Sequence, residues 1–282
     1  MKKSTPTLLH HSLRVVFALL LTCFVTSVAL AQTRAYVTNV NDNTVSVIDT
    51  ATAAVIATVP VGTWPNAVAV TPNGRFAYVV NELGNSVSVI SAANNTVIAT
   101  VPVVVAPSSI AITPNGAFAY VTSALLGNIS VIDTATNTVV TTISAFSPFM
   151  LAISPNGNLG YFTHAASANG VDVMNIATNT VFTNIPIPVQ VTIAAAVTPN
   201  AAFLYVTGLS FSTGSSSLAV IDTATNSLVT IVPLPATFAA GIAITPNGAR
   251  AYVANNGSGV CCGGGFIFID VVRSELAGIQ NG

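Results

Sequence analysis

Charge is what this chain has least of. Among 282 residues only 7 are lysine or arginine, 8 are aspartate or glutamate and 3 are histidine. Lys2, Lys3 and Arg14 all fall in the first 31 residues, so residues 32–282 carry four arginines, no lysine, six aspartates and two glutamates, a net charge of −4. Four scattered arginines cannot make the continuous basic stripe that neutralises phosphates, which excludes nucleic acid as a partner. The low charge is not disorder, because disordered chains pair low hydrophobicity with high net charge, and 52% of this chain is hydrophobic.

Cysteine is nearly absent as well. Cys23 lies in the leader described below, which leaves the adjacent pair Cys261 and Cys262. In an oxidising compartment such a pair either closes into a strained vicinal disulfide or stays as two thiols. Two thiolates would need two further ligands to hold zinc, and His164 is the one histidine after the leader. No metal site is expected. Nor does the chain contain a G-x-S-x-G elbow, and its glycine cluster, Gly263-Gly264-Gly265, lacks the following helix that a phosphate cradle requires. No cofactor is expected, and the grounds for catalysis are thin.

Residues 1–31 read as an export signal. Lys2, Lys3 and Arg14 form a basic start, 15–30 is mostly apolar, and Ala29-Leu30-Ala31 is a small-x-small cleavage site. The apolar stretch is shorter than the roughly 20 residues a spanning helix needs. The expectation is a single exported domain over 32–282, in the periplasm, at the cell surface or outside the cell, with no membrane span after cleavage.

What the chain does contain is a repeat. Six tyrosines, Tyr36, Tyr78, Tyr120, Tyr161, Tyr205 and Tyr252, each sit in a phrase close to A-Y-V-T-N, at spacings of 42, 42, 41, 44 and 47. A period in this range marks a repeat architecture. Within one period, Ala67 to Thr71 is a short apolar strand, Pro72-Asn73-Gly74 a turn and Arg75 to Asn81 a second strand. Proline sets φ at the first corner of a type I turn, and Asn then Gly suit the positions after it. The turn recurs at Pro114, Pro155 and Pro246, and as Pro199-Asn200-Ala201 with the glycine lost. A left-handed backbone at Ala201 would cost about 1 kcal/mol.

A third strand follows, as in Ile129 to Ile132, then the hairpin Asp133-Thr134-Ala135-Thr136-Asn137-Thr138 and a fourth strand from Val139 to Ile143, with near-copies of that hairpin at Asp49 and Asp222. Aspartate bonds its own backbone in such turns. One acid per hairpin, a full repeat apart, does not converge on a single ion. Four antiparallel strands per period of this length predict an all-β fold, a β-propeller of four-stranded blades. A parallel β-helix would not need a proline turn between consecutive strands. Six blades are expected, or seven if the ring closes differently. The tail from Val271 to Gly282 lacks the pattern of a turn and fourth strand, so an unclosed edge open to pairing with another chain stands beside irregular closure.

Ala35-Tyr36-Val37-Thr38-Asn39, Ala77-Tyr78-Val79-Val80-Asn81, Ala119-Tyr120-Val121-Thr122-Ser123 and Ala251-Tyr252-Val253-Ala254-Asn255 resemble the YVTN family of β-propeller repeat proteins. Residues 160–164 and 204–208 are degenerate copies. The resemblance runs from about Ala35 to Asp270. It implies exported bacterial or archaeal proteins, often surface-associated, and at the level of fold alone a likeness to propellers of lactonases and of quinoprotein dehydrogenase subunits.

The proline turns and the Asp hairpins are stereotyped and lie on one face. Strand alternation places the loop after each Tyr strand, together with the blade-to-blade crossovers, on the other, where sequence and length vary. Function on a repeat scaffold concentrates in such loops. That face holds Asp42, Glu82, Trp64, Phe146, Phe238 and the Cys261-Cys262 loop. Trp64 is either a stacking platform for a ligand or a plug between blades. His164 either fills the strand-end slot that Asn39, Asn81 and Asn255 occupy or acts as a general base, which would need a carboxylate such as Asp172 or Glu82 within reach. The leading expectation is a noncatalytic binding or scaffold module for a protein or cell-surface glycan. The alternative is an enzyme or enzyme subunit resembling lactonase-type or quinoprotein-associated propellers.

Overall fold

A computed structural model describes residues 34–164, 170–210, 213–234, 239–256 and 267–273. The leader expected over 1–31, Phe238 and the pair Cys261 and Cys262 lie outside the described residues. Those described fold into six antiparallel sheets in chain order, the first and last three-stranded and the four between them four-stranded. The second sheet is representative: Pro65–Val70, Phe76–Asn81, Ser86–Ser91 and Thr96–Pro102 pair in sequence order. The first strands of successive four-stranded sheets pack side by side, the arrangement of blades about a propeller axis.

Alternation along each Tyr strand builds the seams. Tyr78 and Val80 face forward, into a cluster with Ile110, Ala119, Val121 and Ile132 of the third sheet. Ala77 and Val79 face back, onto Val45, Val47 and Val59 of the first. Equivalent clusters fill the next three seams, around Tyr120, Tyr161 and Tyr205. No such cluster joins the sixth sheet to the first among the described residues. Both faces of an inner blade are therefore covered, which explains near-continuous Val, Ile and Ala runs in strands that would otherwise alternate apolar with polar.

Two local devices repeat. In each proline turn the Asn side chain is locked: Asn115 Oδ1 accepts from Thr113 Oγ1 at 2.7 Å and from the Ala117 amide at 3.0 Å. The glycines that follow have φ between 68° and 74°, and Ala201 adopts φ 58° in the turn that lacks one. In the Asp hairpins the carboxylate accepts backbone amides, Ala51 and Thr52 for Asp49, Ala224 and Thr225 for Asp222. These backbone bonds hold both carboxyls below the usual aspartate range. They are turn formers, as their sequence context predicts.

The outer strand of each of the first five sheets carries a β-bulge opposite the strand that precedes it. The extra residue turns to solvent, so Ile56, Ile98, Val140, Phe182 and Val229 are all exposed.

Candidate functional site

The variable-loop face is assembled from the ends of the Tyr strands. The first four end in a polar residue whose side chain ties the strand end to the next strand or to a crossover. Asn39 and Asn81 donate through Nδ2 to the hydroxyls of Thr44 and Ser46, and of Ser86 and Ser88. Ser123 Oγ donates to the Val105 carbonyl at 2.6 Å, and His164 Nδ1 donates to the Phe146 carbonyl at 2.7 Å. Val105 and Phe146 belong to successive crossovers, so Ser123 and His164 do the same work in successive blades.

Crossovers are also fixed from the loop side. Trp64 and Ala106, one blade apart, donate their amides to Asn43 Oδ1 and Asn85 Oδ1 at 2.8 and 2.9 Å. The Trp64 carbonyl accepts from the Glu82 amide at 2.9 Å, and Thr63 from Gly84 at 3.1 Å. Trp64 is held at φ 60°, a conformation that costs a bulky side chain. The residue is 43% exposed.

Beside it stand the two acids expected on this face. Asp42 is exposed and adjacent to Asn43. Glu82 is half-buried, and its Oε2 accepts from Asn66 Nδ2 at 2.8 Å. On the same face Leu83, Val105, Leu125, Leu126 and Phe146 are exposed by 47% to 72%. With Trp64, this apolar group lies on the loops of the second and third sheets and on the three crossovers between the first and fourth, and the described arginines, Arg34, Arg75, Arg250 and Arg273, all stand at strand ends or turns of the opposite face. Leu125 and Leu126 sit in a loop whose variability was legible. Their exposure, like that of Leu83 and Val105, depends on how the crossovers are pinned, which no local pattern encodes.

His164 and Asp172 do come together. Nε2 lies 3.6 Å from Asp172 Oδ1, beyond the ~3.2 Å of a hydrogen bond. Because a carbonyl only accepts, the bond to Phe146 places the proton of a neutral ring on Nδ1 and leaves Nε2 without a hydrogen, and Nε2 is buried with no hydrogen-bond partner. The carboxylate is engaged elsewhere, by Asn184 Nδ2 at 2.7 Å. The imidazole is 1% exposed and sits against the rings of Phe162 and Phe146. In this arrangement His164 pins a crossover and its imidazole is buried. Glu82, the other carboxylate considered for it, is committed to Asn66. Among the described residues no three His, Cys, Asp or Glu side chains converge as metal ligands.

A concavity lies on the other face, at the seam between the third and fourth sheets. It encloses about 430 Å³ between the turns at Pro114 and Asn156, with Phe118, Val140 and Ile176 as its apolar walls. Sequence reasoning missed it, although a signal was present. The fourth sheet's hairpin begins Asn175-Ile176 where its neighbours have Asp133-Thr134 and Asp222-Thr223.

Comparison with known proteins agrees with this fold. Among solved structures, a chain of Kuenenia stuttgartiensis hydrazine synthase superposes with a TM-score of 0.73 at 27% identity, covering 79% of this chain and 70% of that one. A functionally unknown protein from Desulfotomaculum acetoxidans superposes with a TM-score of 0.72 at 20% identity, covering 87% and 77%, a likeness of fold alone. No curated protein matches the sequence significantly. A family model described as lactonase, 7-bladed beta-propeller, matches residues 22–198, more than half of the chain. The chain belongs to this lactonase-type family of β-propellers.

Proposed function

We propose that this protein is an exported, noncatalytic propeller that docks a protein at the cell envelope through its variable-loop face. The observation that carries the reading is the group formed by Trp64, Leu83, Val105, Leu125, Leu126 and Phe146, all exposed on one face. Exposed apolar side chains gathered this way mark interaction surfaces rather than solvated ones. Five of the six are aliphatic or phenyl, which favours a protein over a glycan, because a sugar needs hydrogen-bond partners among its stacking contacts. The neighbouring charges are Asp42 and Glu82, so the complementary surface is apolar with basic residues at its rim. The test is retention of the full chain on solubilised envelope material, compared with a Leu125→Ser/Leu126→Ser variant that folds normally by circular dichroism. Loss of retention is expected; equal retention would sink the reading.

A second reading, lactone hydrolysis or service as an enzyme subunit, is favoured by the family description and by the approach of His164 to Asp172 at 3.6 Å. The likeness to a hydrazine synthase chain supports its subunit form. Burial of the imidazole weighs against it. Hydrolysis of a simple δ-lactone above the buffer rate, abolished in His164→Asn, would establish it over the first.

A further inference from the structure

We infer that the cleft between the third and fourth sheets, on the face of the proline turns, is a binding site for an uncharged sugar ring. This site is independent of the apolar loops on the opposite face.

The cleft lies where one repeat departs from the repeats on either side of it. In the third sheet's hairpin the Thr134 hydroxyl donates to the carbonyls of Gly116 and Ala117 in that sheet's own proline turn. In the fifth, Thr223 donates to the Ala201 carbonyl in the same way. Both bonds lash hairpin to turn. The equivalent residue in the fourth sheet is Ile176. Its amide still reaches the Asn158 carbonyl at 3.0 Å, as that of Thr134 reaches Ala117, but it has no hydroxyl to give. Among the described residues the Gly157 carbonyl is then left without a donor, and Gly157 lines a cleft of about 430 Å³, within the range of small-molecule sites.

The groups presented there are set in orientation. Oδ1 of Asn115 is consumed by Thr113 and the Ala117 amide, and Oδ1 of Asn156 by Ser154 and the Asn158 amide. At the base of the seam Tyr120 donates to Asn179 Oδ1 at 2.7 Å. In all three amides the oxygen is therefore turned inward and the NH2 group remains to donate, with the side chain of Asn158 as a fourth amide on the rim. Between these donors and the Gly157 carbonyl run the apolar surfaces of Phe118, Val140 and Ile176. No charged residue lines the cleft, and the aspartate that opens the neighbouring hairpins is Asn175 here. A charged ligand would lose its hydration without a counter-charge. A pyranose ring has what the cleft lacks: hydroxyl and ring oxygens to accept from amides, a hydroxyl to donate to Gly157, and C–H faces for Phe118 and Ile176.

Saturation-transfer NMR on the full chain tests this, with methyl β-glucopyranoside and N-acetylglucosamine as probes and gluconate as the charged control. Binding of at least one neutral probe with a Kd of roughly 10 mM or tighter is expected, and none of gluconate. Ile176→Thr restores the lashing used in the neighbouring sheets, so it should fold at least as stably and weaken binding about tenfold. Asn158→Ala should weaken it by a smaller factor, and Trp64→Ser, on the opposite face, should leave it unchanged. No transfer to either neutral probe, undiminished binding in Ile176→Thr, or loss of binding in Trp64→Ser alone would each overturn the assignment.

Discussion

The phenol of Tyr78 donates to Oδ1 of Asn137 in the next blade at 2.6 Å, and Tyr120 makes the same bond to Asn179 at 2.7 Å, in both cases to a residue 59 positions further on. The tyrosine of the repeat is thus a clasp between blades, and the asparagine serves twice. It accepts the phenol, and it adopts the left-handed backbone that the hairpin needs, with φ of 56° at Asn137 and 55° at Asn179. Asparagine tolerates that region better than other side chains with a β-carbon. Variations follow the seams. At the first, Arg34 Nη1 donates to Asn95 Oδ1 at 3.1 Å and the Tyr36 hydroxyl has no partner. At the fourth, the Tyr161 hydroxyl and Asn226 Oδ1 are both buried and unpaired. The first sheet's hairpin, which follows no described blade, has Ala53 in the position, at φ 54°.

A double-mutant cycle on the second seam measures the clasp. Tyr78→Phe removes the donor with little change of shape, and Asn137→Gly keeps the left-handed turn while removing the acceptor. Each single change should destabilise by about 1–2 kcal/mol, and their coupling should be about 1 kcal/mol. Urea unfolding of the four proteins gives the number. Additive losses would mean that the bond contributes nothing beyond packing.

The clasps also set an alkaline limit. Burial pushes the Tyr78 phenol up to about 12, helped by the nearby Asp133 charge, from the ordinary 10.0, and burial raises Tyr120, Tyr161 and Tyr205 as well. Below pH 10 folded and unfolded chains both keep these protons, and stability is independent of them. Above it the unfolded chain releases protons that the folded chain retains, so stability falls as pH rises through 10 to 12. Thermal midpoints measured across this range should decline steeply, and Tyr78→Phe should soften the decline. A decline as steep in Tyr78→Phe as in the parent protein would contradict the assignment.

Ala201→Gly should stabilise the protein. Ala201 sits at φ 58° where four other proline turns place glycine at 68° to 74°. Relief of the β-carbon clash is worth about 1 kcal/mol, partly offset by the greater freedom of glycine in the unfolded chain. A higher urea midpoint with unchanged slope is the expected result. A lower midpoint would show that the turn has relaxed around the alanine.

Such turns were legible because their determinants lie within a few residues of one another. Proline, asparagine and glycine at fixed offsets announce the corner at Pro114, and an acid followed by Thr-Ala-Thr announces the hairpins at Asp49 and Asp222. The tyrosine spacing likewise carried the blade period. What acts between blades was not legible, since the partner of Tyr78 lies 59 residues away and is set by how two sheets rotate about the axis. The same holds for His164. Its strand-end position could be read, but its bond to Phe146 and its burial follow from packing that no spacing shows. The cleft was half legible: Asn175-Ile176 breaks the repeat visibly, but the unpaired Gly157 carbonyl needs the structure.

Position 64 separates folding from display on the loop face. Trp64 is held at φ 60° and is 43% exposed, so Trp64→Gly gives up little packing and relieves a backbone cost of about 1 kcal/mol. Its amide and carbonyl bonds to Asn43 and Glu82 are made by the main chain and survive. Stability should stay level or rise while retention on envelope material falls. Two residues earlier the balance reverses. A β-carbon on Gly62 would lie 2.6 Å from Cγ of buried Asn81, whose Nδ2 holds Ser86 and Ser88. Gly62→Ala should therefore cost about 1–3 kcal/mol, as overpacking does. Gly241→Ala is the control, because the nearest atom there is 4.0 Å away. Thermal melts of the three variants decide the matter: a stable Gly62→Ala would show that the crossover is not wedged against Asn81, and a destabilised Trp64→Gly would show that the ring supports the fold instead of being displayed by it.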